Sequence, residues 1–184
     1  MKILPRRFYD RDTATVAKEI LGKVLVHKIG RRTRSGVIVE TEAYYGANDP
    51  ASRAHKGRIT KVSRWMWYGP GVVMIYMVHA NWLMNIVTGK RGKPSAVLLR
   101  AVEPVNLRGN PSGPGRMTKA LGITQKQIGM NASNPKSELI VAEDKEVNKR
   151  LGKFKIGCSH RIGVSRDVKR KLRFFVVGNR FVSR

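Results

Sequence analysis

The sequence predicts one α+β domain over residues 1–184 in which a mainly antiparallel β-sheet dominates. Apolar, β-branched segments recur along the chain, and short turns rather than crossover helices separate most of them. A chain of 184 residues with 41% hydrophobic residues can bury a substantial core as a single domain. No internal repeat or linker-like segment divides it.

In the first half, helices and strands follow from hydrophobic spacing and from turn residues. A helix is expected where apolar residues recur every three or four positions, and strands where β-branched and aromatic residues concentrate. The predicted elements are a helix capped by Asp12 or Thr13 and stopped by Gly22, a strand over 21–29, a turn over 31–35, a strand over 36–45, a long basic loop over 46–64, a turn over 69–71, and strands over 72–78 and 82–87.

In the second half, the apolar segments are shorter and separated by polar stretches. Glycine, proline and asparagine mark the loops between them. The predicted elements are a turn over 89–94, a strand over 96–102, a loop over 106–115, a short helix over 117–121, a polar loop over 124–138, short strands at 140–141 and 162–164, and a closing hairpin that pairs 174–177 with 181–182 around Gly178-Asn179.

Positive charge is the most unusual property of the composition. The chain has 37 Lys and Arg against 12 Asp and Glu, a formal net charge of +25, spread without a separate basic tail. Such a surface repels itself unless a polyanion lies near it, so we expect nucleic acid as the partner. An anionic membrane is the second option, but no segment resembles an interfacial helix with a basic face and a Trp/Leu face. We therefore expect no membrane association.

The cysteine count and the first residues of the chain argue against several other classes of protein. The single Cys158 excludes an internal disulfide and a Cys-rich zinc site, and an ordinary buried thiol is the expectation. No metal site is predicted. Charges and a proline interrupt the first residues before any apolar run develops, and no segment approaches the ~18 apolar residues of a membrane span. We expect a cytoplasmic protein, or a nuclear one if the source is eukaryotic.

The few carboxylates are informative because of where they lie. Glu40 and Glu42 alternate with apolar residues in the strand over 36–45, so they share one face with Tyr44. One interpretation is a strand with a solvated face. The other is a general base held near a cation, for which Arg100 at the end of another apolar run is a plausible partner.

Aromatic and basic residues are interleaved between positions 44 and 82. Such a mixture suits a surface that grips phosphates and stacks bases. The alternative is that the tryptophans fill the core. The residues concerned are Tyr44, Tyr45, Trp65, Trp67, Tyr68, Tyr76 and Trp82 among the aromatics, and Arg53, Lys56, Arg58, Lys61 and Arg64 among the basic residues.

Five ordered motifs resemble those of the alkyladenine (3-methyladenine) DNA glycosylase family. They are Val39-Glu40-Thr41-Glu42-Ala43-Tyr44, Asp49-Pro50-Ala51-Ser52, Gly69-Pro70-Gly71, Leu83-Met84-Asn85 and Val97-Leu98-Leu99-Arg100-Ala101-Val102-Glu103-Pro104. The segments Arg161-Ile162-Gly163-Val164 and Leu172-Arg173-Phe174-Phe175-Val176 match as well. The resemblance thus extends over nearly the whole chain, and it implies a curved sheet flanked by short helices and a DNA-inserting β-hairpin.

The resemblance also assigns roles to residues. It implies that Glu42 is the general base, and that Arg100 and the main-chain carbonyl of Ile162 hold the attacking water. It implies that Tyr44 and Tyr76 stack on the flipped base, and that Asn85 discriminates against guanine. We assign DNA contacts to Arg58, Arg116, Lys119 and Gly163.

The chain departs from the family pattern at two places. Arg53 occupies the position where the family has a His that forms one wall of the base pocket. Either His55 moves into the pocket instead, or Arg53 lines the pocket and alters base preference. At the hairpin tip the family inserts a Tyr into the duplex, whereas the matching segment of this chain is one residue shorter and places His79 there.

The function implied is excision of alkylated or deaminated purines in base excision repair. The substrates expected are the class of 3-methyladenine, 7-methylguanine, hypoxanthine and ethenoadenine in double-stranded DNA. Base flipping and water attack at C1′ require no cofactor. We therefore expect a monofunctional glycosylase that does not cleave the strand and that works as a monomer. The alternative is a basic RNA- or DNA-binding protein without catalysis. A nucleotide-processing enzyme is disfavoured because no phosphate-binding Gly-x-x-x-x-Gly-Lys-Ser/Thr motif is present.

Overall fold

A nine-stranded, curled antiparallel sheet organises the chain, which a computed structural model describes over residues 1–183. The strands are β1 (Lys2–Ile3), β2 (Val24–Ile29), β3 (Arg32–Tyr44), β4 (Val73–Val78), β5 (Asn81–Val87), β6 (Ala96–Asn106), β7 (Leu139–Glu143), β8 (Ile156–Ser159) and β9 (Arg173–Val176). Their order is β1-β7-β2-β3-β6-β5-β4, and β9 pairs with both β3 and β8. The predicted fold class, a single α+β domain with a curved antiparallel sheet, is confirmed.

Short helices flank this sheet. They are α1 (Arg6–Tyr9), α2 (Thr13–Glu19), α3 (Pro114–Leu121) and α4 (Lys145–Leu151), with 3-10 helices at Gly46–Asn48, His55–Gly57, Ser63–Trp67 and Gln125–Gln127. Asp12 caps α2 as predicted, because its side chain accepts a hydrogen bond from the Thr15 backbone N–H at 3.0 Å. No helix among residues 1–183 is both long and apolar enough to cross a bilayer.

Strand β3 is the centre of the molecule. Its second half pairs with β6 on one side and with β9 on the other, and α2 also packs against this strand. Residues Ser35 to Ala43 are consequently buried throughout. A polar side chain at these positions must find partners within the protein, because water cannot reach it.

The pairing of β3 with β6 is irregular close to Glu40. The register shifts between Ile38 and Glu40 and again between Glu40 and Thr41, so that Glu40 pairs with Ala101 and Thr41 with Leu99. Irregularities of this kind bend a strand and re-aim its side chains. Arg100 lies at this irregularity, opposite the two carboxylates of β3.

Two predictions about the β2–β3 region and the thiol are wrong. The predicted turn over 31–35 is largely strand: Ile29 pairs with Arg32, so only Gly30 and Arg31 form the reversal. The first residues of β3 are exposed and basic, and they therefore lack the apolar alternation that signals a strand. Cys158 is exposed, not buried.

The C-terminal prediction is also wrong in its pairing. Residues 162–164 form no strand, with a bend at Ile162 and Gly163, and 181–182 do not pair with 174–177. Strand β9 pairs instead with β8 and with β3, which is remote in sequence. The elements β1, β8, α1 and α4 were not predicted.

Candidate active site

Most of the predicted site residues line one cleft. It has a volume of about 690 Å³ and opens between the β4–β5 hairpin, the segment after β3, the start of α3 and the loop after β8. Among its lining residues are Tyr44, Arg53, Tyr76, His79, Arg100, Arg116, Ile162 and Gly163.

Glu42 lies behind the wall of this cleft, fully buried, with three donors on its carboxylate. The Ile162 backbone N–H donates to Oε1 at 2.8 Å, the Tyr44 hydroxyl donates to Oε2 at 2.7 Å, and Arg100 Nη1 lies 3.2 Å from Oε1. Burial raises the pKa of Glu42, and these three donors only partly offset that effect. The residue is therefore a fixed carboxylate whose proton affinity exceeds that of an exposed Glu.

Glu40 has a different environment although it shares the strand face. Its Oε1 accepts hydrogen bonds from Arg100 Nε at 2.8 Å and Arg173 Nε at 2.7 Å, and Ser183 donates to both carboxylate oxygens. Glu40 is fully buried as well, so the interpretation of this face as solvated is wrong. Glu40 therefore has a structural role: it forms ion pairs with Arg100 and Arg173 and thereby orients Arg100.

Arg100 joins the two carboxylates to the neighbouring loop. While Nε is held by Glu40, Nη1 faces both Glu42 and the carbonyl oxygen of Ile162, the latter at 3.5 Å. The carboxylate of Glu42, the guanidinium of Arg100 and the carbonyl of Ile162 thus converge at the cleft wall. A proton acceptor, a cation and a carbonyl together can hold and polarise a water molecule.

Loop residues that were not predicted as site residues hold this arrangement in place. Arg161 donates to both carboxylate oxygens of Asp49 at 2.6 and 2.7 Å, to Asp167 at 2.6 Å and to the Ala43 carbonyl at 2.9 Å. Its guanidinium also lies 4.5 Å from the centroid of the Tyr44 ring. Burial alone would raise the pKa of Asp49, but the hydrogen bonds from Arg161 outweigh it and lower that pKa. Asp49 and Arg161 both fall in the motifs quoted above, yet nothing in their spacing indicates that they pair.

Arg53 and Tyr76 line the cleft, and Asn85 lies next to them at a small adjoining cavity. The Arg53 guanidinium lies 4.6 Å from the centroid of the Tyr76 ring. Asn85 is buried, and its Nδ2 has no hydrogen-bond partner among residues 1–183. A small cavity of about 10 Å³ beside it is also lined by Tyr44, Arg53 and Tyr76. An unpaired buried donor at this place could bind an acceptor on a ligand.

His55 does not join these residues. Its Nδ1 is 3.0 Å from the Ala47 carbonyl oxygen, and His55 lines neither the cleft nor the small cavity. Of the two predicted alternatives at this position, the structure places Arg53 at the pocket.

His79 is at the exposed tip of the β4–β5 hairpin, on the rim of the cleft. Val78 pairs with Asn81, which leaves His79 and Ala80 as a two-residue turn with φ of 45° and 60°. This left-handed geometry is uncommon for residues other than glycine and asparagine.

The three tryptophans are half-buried and pack against the hydrophobic core, as in the alternative that they fill the core.

The basic residues predicted to contact DNA are exposed. Arg58 and Lys119 lie outside the active cleft, whereas Arg116 lines both this cleft and a second one of about 990 Å³. The second cleft contains Arg31, Arg32, Arg34, Arg108, Arg116 and Lys119, and no carboxylate is among its described lining residues. Arg116 therefore connects two adjoining positively charged depressions.

Comparison with known proteins shows where this arrangement belongs. The model of the methylpurine-DNA glycosylase family matches residues 7–180. The chain belongs to the methylpurine-DNA glycosylase family. All candidate site residues, from Glu42 to Gly163, fall within the matched range of that family.

Individual relatives agree with this membership. A protein of Aeropyrum pernix, whose provisional name is 3-methyladenine DNA glycosylase, is 40% identical over 186 residues, covering 100% of this chain and 94% of the relative. A Bacillus licheniformis protein with the same provisional name is 37% identical over 194 residues, covering 98% of this chain and 96% of its own length. Within residues 1–183 of this methylpurine-DNA glycosylase family member, no three His, Cys, Asp or Glu side chains are grouped so as to hold a metal ion.

Proposed function

We propose that the protein is a monofunctional DNA glycosylase that excises alkylated or deaminated purines from double-stranded DNA in base excision repair. The observation that carries this proposal is Glu42, a buried carboxylate placed beside Arg100 and the Ile162 carbonyl at the wall of a cleft between two tyrosines. The substrate class is that of 3-methyladenine, 7-methylguanine, hypoxanthine and ethenoadenine. Family membership supports the reaction type.

The chemical step uses water held between Glu42, Arg100 and Ile162. The water oxygen forms a bond to the sugar C1′ while the glycosidic C–N bond breaks and its electron pair leaves with the base. Glu42 accepts the water proton, and its charge stabilises the oxocarbenium-like centre before that transfer. A positioned general base of this kind contributes roughly 10²- to 10⁴-fold to the rate.

Base recognition follows from the aromatic walls of the cleft. Tyr44 has one side occupied by Arg161, and we propose that it stacks on the flipped base with its other face. Tyr76 forms the facing wall, and the free donor of Asn85 contacts the purine edge. Because a duplex shields its bases, the nucleotide must first leave the stack, which costs least at damaged pairs.

The duplex lies across the two basic clefts. His79 at the hairpin tip is the side chain that takes the place of the flipped base. Arg116, which lines both clefts, and Lys119, which lines the second, contact phosphates, and the exposed Arg58 contacts a phosphate outside them. The same charge drives association in the compartment that holds the chromosome, which is the cytoplasm of a prokaryote or the nucleus of a eukaryote. One chain contains the full set of groups, so a monomer suffices.

A lesion panel tests this function. The protein is incubated with duplexes that carry one 3-methyladenine analogue, 7-methylguanine, hypoxanthine or ethenoadenine, and the strands are analysed with and without alkali. We expect at least one lesion to yield abasic sites, with strand breaks only after alkali. Release of none of the four bases, together with tight binding to undamaged nucleic acid, would instead identify a binding protein without catalysis. Strand breaks without alkali would contradict the monofunctional mechanism.

A further inference from the structure

Arg53 is an arginine beside Tyr76 whose charge no carboxylate neutralises. Arg100 and Arg161 each form ion pairs with buried carboxylates, whereas Arg53 forms no ion pair within residues 1–183. Arg116 also lines the cleft without an ion pair in the described part of the chain, but of these arginines only Arg53 lines both the open cleft and the small cavity beside Asn85. The base-recognition wall thus carries a net positive charge, while the water-activating wall contains Glu42.

We propose that Arg53 sets the lesion class of the enzyme, favouring neutral purines with a carbonyl at C6, such as hypoxanthine, over cationic alkylated purines such as 7-methylguanine. This inference rests on the proposed glycosylase function and goes beyond it in naming which lesions the pocket selects.

The disfavoured class follows from repulsion of like charges. A cationic base between Tyr44 and Tyr76 would lie within a few ångström of the Arg53 guanidinium, in a partly desolvated site where such interactions are only weakly screened. Moreover, Arg53 already lies against the Tyr76 ring, at 4.6 Å from its centroid. The attraction that an aromatic face offers a cationic ligand is therefore already engaged by a side chain of the protein.

The favoured class follows from hydrogen-bond complementarity. A guanidinium presents a fork of N–H donors that matches O6 and N7 of a 6-oxopurine. The unpaired Nδ2 of Asn85 is a second donor, at the small cavity that Arg53 also lines, and it too needs an acceptor. Arg53 and Asn85 therefore both recognise acceptors on the base edge.

The same donor assists departure of a neutral base. When the C1′–N9 bond of a neutral purine breaks, its electron pair makes the leaving base anionic, and the base afterwards takes a proton from water. A guanidinium at O6 and N7 stabilises this developing negative charge. A cationic purine leaves as a neutral base, so it has no comparable gain from Arg53.

The test compares two substrates in wild type and in two substitutions of Arg53. Single-turnover excision rates are measured on duplexes carrying one hypoxanthine or one 7-methylguanine, after subtraction of the rates obtained with Glu42→Gln. Arg53→Gln removes the charge, whereas Arg53→Lys keeps the charge but removes the planar fork. Arg7→Gln is the matched control, because Arg7 is exposed and lines neither basic cleft.

We expect Arg53→Gln to lower the ratio of the hypoxanthine rate to the 7-methylguanine rate by about tenfold or more, the effect of a single charge at short range. Arg53→Lys should keep the low rate on 7-methylguanine and lose rate on hypoxanthine, and Arg7→Gln should leave the ratio unchanged. Arg53 is exposed, so these variants are expected to fold like the wild type.

The outcomes that overturn the inference are distinct from those that overturn the function. If wild type releases both bases and Arg53→Gln leaves their ratio unchanged, the role of Arg53 is wrong while the glycosylase function stands. If Arg53→Lys gains as much rate on 7-methylguanine as Arg53→Gln does, charge is not the cause of discrimination, and the inference is also wrong. If wild type releases neither hypoxanthine nor 7-methylguanine, the inference is wrong, and the proposed function fails as well only if 3-methyladenine and ethenoadenine are also retained.

Discussion

At the scale of single residues, the Glu42 carboxylate is subject to opposing influences. Burial raises its pKa, while Arg100, the Ile162 amide and the Tyr44 hydroxyl lower it, and the net direction is upward. A general base acts only when ionised, so its rate contribution falls as pH decreases through this pKa. We therefore expect the acid limb of the excision rate to lie above the usual range of a Glu side chain.

Tyr44→Phe isolates one of these influences. The substitution keeps the ring that faces the base but removes the hydroxyl that donates to Glu42 at 2.7 Å. Because that donor stabilises the ionised form, its loss should raise the pKa of Glu42 further and move the acid limb to higher pH. Single-turnover rates between about pH 4 and pH 8, the range that spans ionisation of a carboxyl with raised pKa, measure the shift.

Tyr45→Phe provides the matched control for this pH profile. The Tyr45 hydroxyl donates to Asp12 at 2.8 Å, away from Glu42. Its removal should leave the acid limb in place. An acid limb that is the same in wild type and Tyr44→Phe would show that the hydroxyl does not tune the base.

The sequence identifies the residues that carry the chemistry better than the residues that hold them in place. The strand period places Glu40 and Glu42 on one face, and the motif order points to Arg100 and Ile162. The sequence does not show that Glu40 is structural and Glu42 reactive. That difference arises because Arg173 and Ser183, which are distant in the chain, bind Glu40. The pairing of Arg161 with Asp49 was missed for the same reason.

At the scale of elements, the β4–β5 hairpin combines strain with exposure. Helix α3 supports the hairpin directly next to its tip, since the Thr118 hydroxyl donates to the Trp82 carbonyl at 2.7 Å and Asn81 packs against Gly115. The tip, in contrast, holds His79 and Ala80 at positive φ. A strained, exposed turn on a braced support is consistent with a side chain presented for insertion into DNA.

Glycine substitutions at the two tip positions separate the strain from the side chain. Ala80→Gly and His79→Gly should each stabilise the turn or leave it unchanged, within about 1 kcal/mol, because glycine tolerates positive φ. Only His79→Gly should reduce excision from duplex relative to single-stranded DNA, since it alone removes the imidazole. Thermal unfolding and paired excision assays measure both effects. Equal losses on duplex DNA for both variants, or none for either, would remove the insertion role from His79.

Elements with strong local signals were predicted and those fixed by distant pairing were not. The helix capped by Asp12 and the apolar strands β4, β5 and β6 have clear spacing and turn residues. Strand β8 has no such alternation, and it exists because β9 pairs with it and with β3. The predicted hairpin of 174–177 with 181–182 relied on the local Gly178-Asn179 signal, but the pairing with β3 and β8 replaced it.

At the scale of the whole molecule, the net charge of +25 governs association with DNA. Phosphate contacts release counterions, so a protein with about six to ten such contacts loses roughly 10³- to 10⁵-fold in affinity between 50 and 200 mM salt. The two adjoining basic clefts offer a continuous path for these contacts.

Arg116→Gln tests whether the path through both clefts is used. We expect it to weaken binding to undamaged duplex regardless of sequence and to reduce the slope of log affinity against log salt by about one. Arg7→Gln, which removes an equal charge outside both clefts, should change the slope less. Identical slopes for wild type and Arg116→Gln would exclude a phosphate contact at Arg116.

The central claim is that Glu42 activates the water, and the most direct measurement is single-turnover excision by Glu42→Gln. Gln is close in size to Glu and retains an acceptor for the Ile162 amide, but it cannot take a proton from water. We expect DNA binding to be retained, while excision of the lesion that wild type removes fastest falls by at least about 10²-fold. Near-normal excision by Glu42→Gln would contradict the account.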